Sequence, residues 1–82
     1  MKKLTVYSMN GCASCVAATN MLDSKGVRYE VVKIDEDFEA WEFLKAEGHR
    51  SMPQIYDGKK LFVVGGFQGL AKLSTEAFRE FY

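Results

Sequence analysis

Apolar positions change their spacing several times along the chain, and each change marks an element. Leu4-Thr5-Val6-Tyr7-Ser8 is short, β-branched and aromatic, which predicts a first strand. Asn10-Gly11 then breaks the pattern. Residues 13–25 are good helix formers, with Val16, Ala18, Met21 and Leu22 available for a buried face. Gly26 after Lys25 is a helix stop. Val27, Tyr29, Val31, Val32 and Ile34 mark a second strand over residues 27–34. Asp35 or Asp37 can cap the next helix, in which Phe38, Trp41 and Leu44 recur every three residues, and Gly48 ends it. Phe38 and Trp41 are expected in the core, and His49 in the loop beyond.

After Pro53 the spacing changes again. Gln54-Ile55-Tyr56 and Leu61-Phe62-Val63-Val64 flank Asp57-Gly58-Lys59-Lys60, and an Asp-Gly step between two strand-like runs predicts a hairpin. Gly65-Gly66 closes the second arm. Residues 70–81 read as a last helix, with Leu70, Leu73, Ala77, Phe78 and Phe81 on or near one face. The predicted order is β-α-β-α-β-β-α. A helical connection between the first two strands suggests a parallel βαβ unit and an α/β fold.

Composition narrows the function. Eighty-two residues point to one domain, residues 1–82, and 48% hydrophobic content argues against disorder. Eleven Lys and Arg balance eleven Asp and Glu, which argues against non-specific nucleic-acid binding. Between residues 35 and 47 the acids Asp35, Glu36, Asp37, Glu39, Glu42 and Glu47 face only Lys45, the pattern of a solvated helix face. No apolar run approaches the roughly 18 residues of a membrane span. The basic-then-apolar start over residues 1–7 is too short for a signal peptide. A cytoplasmic monomer without membrane contact is therefore expected. Two cysteines in that setting are more often catalytic or metal-binding than structural.

Cys12 and Cys15 fall between the end of a strand and the start of a helix. The first helical turn has free N–H groups and the positive end of the dipole, so a sulfur there ionises more easily. Thiolates in such places have pKa values of roughly 3.5–7.5, against about 8.5 for free cysteine. Cys12, at the turn, is expected to be the exposed nucleophile. Cys15, one turn later and deeper, can attack a mixed disulfide formed on Cys12. Structural cysteines and half of a metal site are the alternatives. A four-thiolate zinc site needs two more cysteines than the chain has, and His49 is the single histidine. Placement after a strand in a βαβ pattern favours redox chemistry, with no metal ligand assigned.

Val6-Tyr7-Ser8, Cys12-Ala13-Ser14-Cys15, Ser51-Met52-Pro53 and Gly65-Gly66-Phe67 together resemble the glutaredoxins. They also resemble the glutaredoxin-like electron donors of ribonucleotide reductase and the small phage-encoded thioredoxins. The likeness covers nearly the whole chain in the right order. It implies a thioredoxin-like fold, a four-stranded mixed sheet flanked by three helices. It also implies Cys12 as nucleophile, Cys15 as resolving thiol and a cis Pro53 beside them. The Met52 backbone would pair with bound glutathione or peptide. Tyr7, Arg50, Gly66, Phe67 and Gln68 complete the glutathione-binding set that the resemblance suggests, with Tyr7 either lining the cleft or packed in the core.

Several positions depart from the family pattern. Ala13-Ser14 replaces the usual Pro-Tyr, Met9 replaces a common lysine, and Gln68-Gly69 replaces an acidic pair. The last two changes remove charges that would grip glutathione. The implied activity is reduction of protein or glutathione mixed disulfides, with no cofactor required and glutathione as reductant or substrate. Oxidised proteins, ribonucleotide reductase among them, are the implied partners. The alternative is a module that binds an iron–sulfur cluster with glutathione.

Overall fold

The computed structural model describes residues 2–82; Met1, the first residue of the basic start, lies outside them. Its elements are β1 (Leu4–Ser8), α1 (Ala13–Lys25), β2 (Tyr29–Lys33), α2 (Phe38–Ala46), β3 (Gln54–Asp57), β4 (Lys60–Leu61) and α3 (Gly66–Ala71), followed by a 3-10 helix over Thr75–Phe81. The strands form one mixed sheet in the order β2-β1-β3-β4. β1 and β2 run parallel, from Leu4 opposite Tyr29 to Ser8 opposite Lys33. β3 is antiparallel to both β1 and β4.

Alternation along β1 sorts the two faces of the sheet. Leu4 and Val6 are fully buried with Ala18, Leu22, Ile55, Leu70 and Phe78. Burying one such aliphatic or aromatic side chain contributes about 1.5–3 kcal/mol. The opposite face carries an aromatic cluster under α2. The Tyr7 ring centroid is 5.9 Å from Phe43 and 5.5 Å from Tyr56, and Phe43 is 5.3 Å from Tyr56. Helices α1 and α3 therefore cover one face and α2 the other.

Both long helices stop in the same way. Gly26 has φ +70° and donates to Asp23 O, while Val27 N–H reaches Leu22 O at 3.0 Å. Gly48 has φ +86°, with Gly48 N–H on Lys45 O and His49 N–H on Leu44 O, each at 3.0 Å. These paired bonds satisfy end carbonyls and need a left-handed residue, which glycine adopts without strain. Asp37 caps the start of α2 by accepting from Ala40 N–H at 3.1 Å.

Four local expectations are corrected. The outer column of α2, not the core, holds Phe38 and Trp41, which are 67% and 40% exposed. That helix meets the sheet through Ala40, Phe43 and Leu44, one stripe round. On α1 the buried stripe is Cys15, Ala18 and Leu22, which leaves Val16 on the exposed side. β4 spans two residues; one further bond, Phe62 N–H to Ile55 O at 2.9 Å, follows before Phe62 and Val63 turn onto the core. The helix expected over residues 70–81 is instead α3 plus a 3-10 helix, broken where Ser74 takes an extended backbone. Ser74-Thr75 favours caps over helix interiors, and the three-residue 3-10 period buries both Phe78 and Phe81 while Ala77 stays exposed.

Candidate active site

The redox pair sits where β1 feeds α1. Cys12 is the N-cap of α1, with extended backbone (φ −102°, ψ 104°), and its Sγ accepts from the Cys15 N–H at 3.2 Å. Cys12 and Cys15 are joined as a disulfide, with Cα atoms 5.3 Å apart. Cys12 is half-buried and Cys15 is 2% exposed, so Cys12 is the more accessible sulfur. No acidic side chain occupies the first turn of α1 to oppose negative charge on that sulfur.

The loop before β3 comes up beside the pair. The Met52–Pro53 peptide bond is cis, as the resemblance implies. The Cys12 Sγ lies 3.8 Å from the Met52 carbonyl oxygen. Ser14 Oγ is 3.5 Å from Cys12 Sγ and donates to the same Met52 carbonyl at 3.4 Å. Gly66 takes φ +58°, and a side-chain carbon there would stand 3.0 Å from Pro53 O, so the start of α3 presses closely on the cis-proline loop.

Met52, Pro53, Gly66, Phe67 and Gln68 are brought together around one cleft of ≈ 460 Å³, with Ser14 at its rim. Tyr7 is not among them; it stands on the α2 face against Phe43 and Tyr56. Arg50 is exposed and outside the cleft lining, although its neighbours His49 and Ser51 are in it. Among the described residues, no Lys, Arg, Asp or Glu lines this cleft. A second groove on the other side of Cys12 is lined by Met9, Ala13, Val16 and Lys33.

Two cleft residues were not marked as functional by the sequence. Gln54 is buried, and its Nε2 donates to Ser51 O at 2.8 Å, which ties down the loop before the cis-proline. His49 is half-buried, with Nε2 2.7 Å from the Tyr56 hydroxyl. That hydroxyl also donates to Glu47 Oε1 at 3.2 Å. Burial, and then Glu47, push the Tyr56 hydroxyl up to about 12. The available signal for His49 was its position directly after Gly48, where this type of helix end turns the chain back onto its own helix.

Gly69 has a packing role. A Cβ there would overlap the Val64 carbonyl, and Gly69 N–H donates to Gly65 O at 3.2 Å. No side chain of any kind fits, so the acidic residue that the resemblance leads one to expect here is excluded by space. Among the described residues no three His, Cys, Asp or Glu side chains converge as a metal-holding group. No helix among them is long and apolar enough to cross a membrane.

A mixed sheet carrying a Cys-x-x-Cys pair at a helix start, beside a cis-proline, defines a thiol–disulfide oxidoreductase of thioredoxin-like fold. Comparison with known proteins specifies the family. The glutaredoxin family model matches residues 4–62. The glutaredoxin-like protein NrdH of Escherichia coli K12 is 32% identical over 56 residues, 68% of this chain and 69% of that protein. The structure of E. coli NrdH-redoxin, described as the basis of a thioredoxin-like activity profile, aligns with TM-score 0.64 at 31% identity over 66% of this chain and 71% of that one. The dithiolic glutaredoxin 2-C-Grx1 of Trypanosoma brucei brucei aligns with TM-score 0.71 at 25% identity, over 96% and 84%. The chain belongs to the glutaredoxin family.

Proposed function

We propose that the chain, as one domain over residues 1–82, reduces protein and glutathione mixed disulfides through Cys12 and Cys15. The observation that carries this reading is the Cys12 sulfur at the α1 N-cap, accepting from Cys15 N–H at 3.2 Å beside the Met52 carbonyl. The Cys12 thiolate attacks one sulfur of the substrate disulfide; a Cys12 mixed disulfide forms and the other sulfur leaves as thiolate. Cys15, as thiolate, then attacks Cys12 Sγ. The Cys12–Cys15 disulfide forms and the second substrate thiolate leaves, so two electrons pass to the substrate. The Met52 backbone, Pro53, Gly66, Phe67 and Gln68 hold the segment next to the target sulfur.

Glutathione is the proposed reductant. One glutathione thiolate attacks Cys12 Sγ and releases Cys15; a second attacks the glutathione sulfur and releases Cys12 and glutathione disulfide. Grip is weak, because the cleft offers no charged side chain to the carboxylates or the amine of glutathione. Each missing exposed contact costs about 0.2–1 kcal/mol, so two or three raise the Michaelis constant by between about twofold and on the order of a hundredfold. The same observation favours a second reading, recharging by thioredoxin reductase, in keeping with the thioredoxin-like profile described for the E. coli relative. The oxidised partner proposed by resemblance is ribonucleotide reductase, in a cytoplasmic setting, with this chain acting as a monomer. The test is mixed-disulfide reduction with glutathione and its reductase, run beside thioredoxin reductase. Turnover with glutathione at a raised Michaelis constant supports the first reading. Turnover only with thioredoxin reductase selects the second.

A further inference from the structure

Helix α2 has an outer column that the sheet does not use. Phe38 and Trp41 are 67% and 40% exposed and stack with ring centroids 5.8 Å apart, 27° between planes. Lys45 Nζ lies 4.8 Å from the Trp41 ring centroid and covers part of it. Residues 38, 41 and 45 share one side of the helix, while Ala40 and Leu44 are buried on the other. The sheet uses neither ring, and large rings stacked in water beside polar groups are a candidate contact surface.

The rim is acidic. Residues 35–47 carry six carboxylates and one lysine. Among the described residues the ion pairs engage Asp57, Glu80, Glu30 and Glu76, and none of these six. Glu39 adjoins Phe38, and Glu42 adjoins Trp41 and lies four residues from Phe38. The patch is continuous with the redox loop. Asn10, two residues before Cys12, donates from its backbone to Asp35 at 3.0 Å and from its side chain to Glu36 at 3.1 Å.

We propose that the Phe38–Trp41 face of α2 docks a basic polypeptide segment of the redox partner, whose Arg or Lys side chains pair with Glu39 and Glu42 while an apolar or guanidinium group lies on the Phe38 ring. A positive segment is the complement of this field, and a guanidinium also stacks on aromatic faces. Docking here would raise the local concentration of a disulfide presented to Cys12. Only the partner's identity rests on the redox reading; the binding surface itself does not.

Trp41 is the single tryptophan of the chain, so its fluorescence reads the site directly. The probe is a cysteine-free synthetic peptide of arginine, leucine and serine, with its glutamate-for-arginine counterpart as control, titrated against oxidised protein. The basic peptide should shift Trp41 emission saturably, and the acidic one should not. Affinity should fall as salt rises. Glu39→Gln with Glu42→Gln should weaken binding about two- to twentyfold. Phe38→Ala keeps every charge and should weaken binding about tenfold; circular dichroism checks that it folds. Binding is read on the oxidised protein without turnover, so a failed redox assay leaves this readout untouched. An unresponsive Trp41, or wild-type affinity in Phe38→Ala, overturns the proposal, the latter by reducing the effect to charge attraction alone.

Discussion

The Ser14 hydroxyl bridges the two halves of the redox site: its Oγ donates to the Met52 carbonyl at 3.4 Å and stands 3.5 Å from Cys12 Sγ. Met52 O is the acceptor that a substrate strand would use, and Cys12 Sγ is the atom that would carry charge after reduction. One hydroxyl hydrogen can serve only one of them at a time. A thiolate is the stronger acceptor, since bonds to charged groups are worth about 1.5–3 kcal/mol against about 1 for neutral ones. Reduction should therefore draw Ser14 towards Cys12 and free the Met52 carbonyl for substrate.

Ser14→Ala removes that donor. A hydrogen bond to the charged form holds a pKa down, so its loss should move the pH midpoint of Cys12 alkylation upward. Iodoacetamide reactivity of the reduced protein, followed against pH, measures it. An unmoved midpoint would mean that the hydroxyl stays on Met52 in both redox states.

Tyr56 ties the loop under the cleft to the sheet through His49 and Glu47. Its hydroxyl is raised from the ordinary 10 to about 12 by burial and Glu47. The unfolded chain releases this proton near pH 10 and the folded one near 12, so stability from this group is complete below pH 10 and is lost as pH rises from 10 to 12. The full loss is on the order of 2–3 kcal/mol. Tyr56→Phe should lower stability near pH 8 by about 1 kcal/mol, through the lost hydrogen bonds. It should also show a shallower alkaline decline than wild type. Urea melts at pH 8, 10 and 11 make the comparison; parallel alkaline slopes would refute it.

Gly69 is fixed by space, because a Cβ there would overlap the Val64 carbonyl. Gly69→Ala forces α3 away from the Val63–Val64 segment, and overpacking of this kind costs about 1–3 kcal/mol. Because α3 begins at Gly66, against Pro53, the cleft should loosen with it. The melting temperature should fall and the Michaelis constant for a disulfide substrate should rise in the same variant. A melting temperature equal to wild type would show that the close approach is not maintained in solution.

Much of this was legible from local chemistry. The strand, Asn10-Gly11 turn and helix that place the cysteines depend on neighbours in sequence, as do the aspartate cap of α2 (Asp35 or Asp37 from sequence, Asp37 in the fold), the Gly26 and Gly48 stops and the Asp57-Gly58 hairpin. Three features depend on long-range packing and were not legible. Phe38 and Trp41 share helical spacing with Leu44, and apolar content alone does not say which of two adjacent stripes meets the sheet. Tyr7 alternates with Val6, but which face of β1 carries the thiols is settled by where α1 and α2 pack. The Gly48 stop turns His49 back onto α2, but its side-chain partner, the Tyr56 hydroxyl across the loop, is set by packing.

The central claim is that Cys12, at the α1 N-cap, takes the first bond with substrate and Cys15 resolves it. The direct measurement is mass-spectrometric peptide mapping of reduced Cys15→Ser and Cys12→Ser variants after brief exposure to glutathione disulfide at neutral pH. Cys15→Ser should accumulate one glutathione on Cys12, quickly and stoichiometrically, while Cys12→Ser reacts slowly because its remaining thiol is 2% exposed in the oxidised fold. Faster adduct formation on Cys15 than on Cys12 would contradict the assignment.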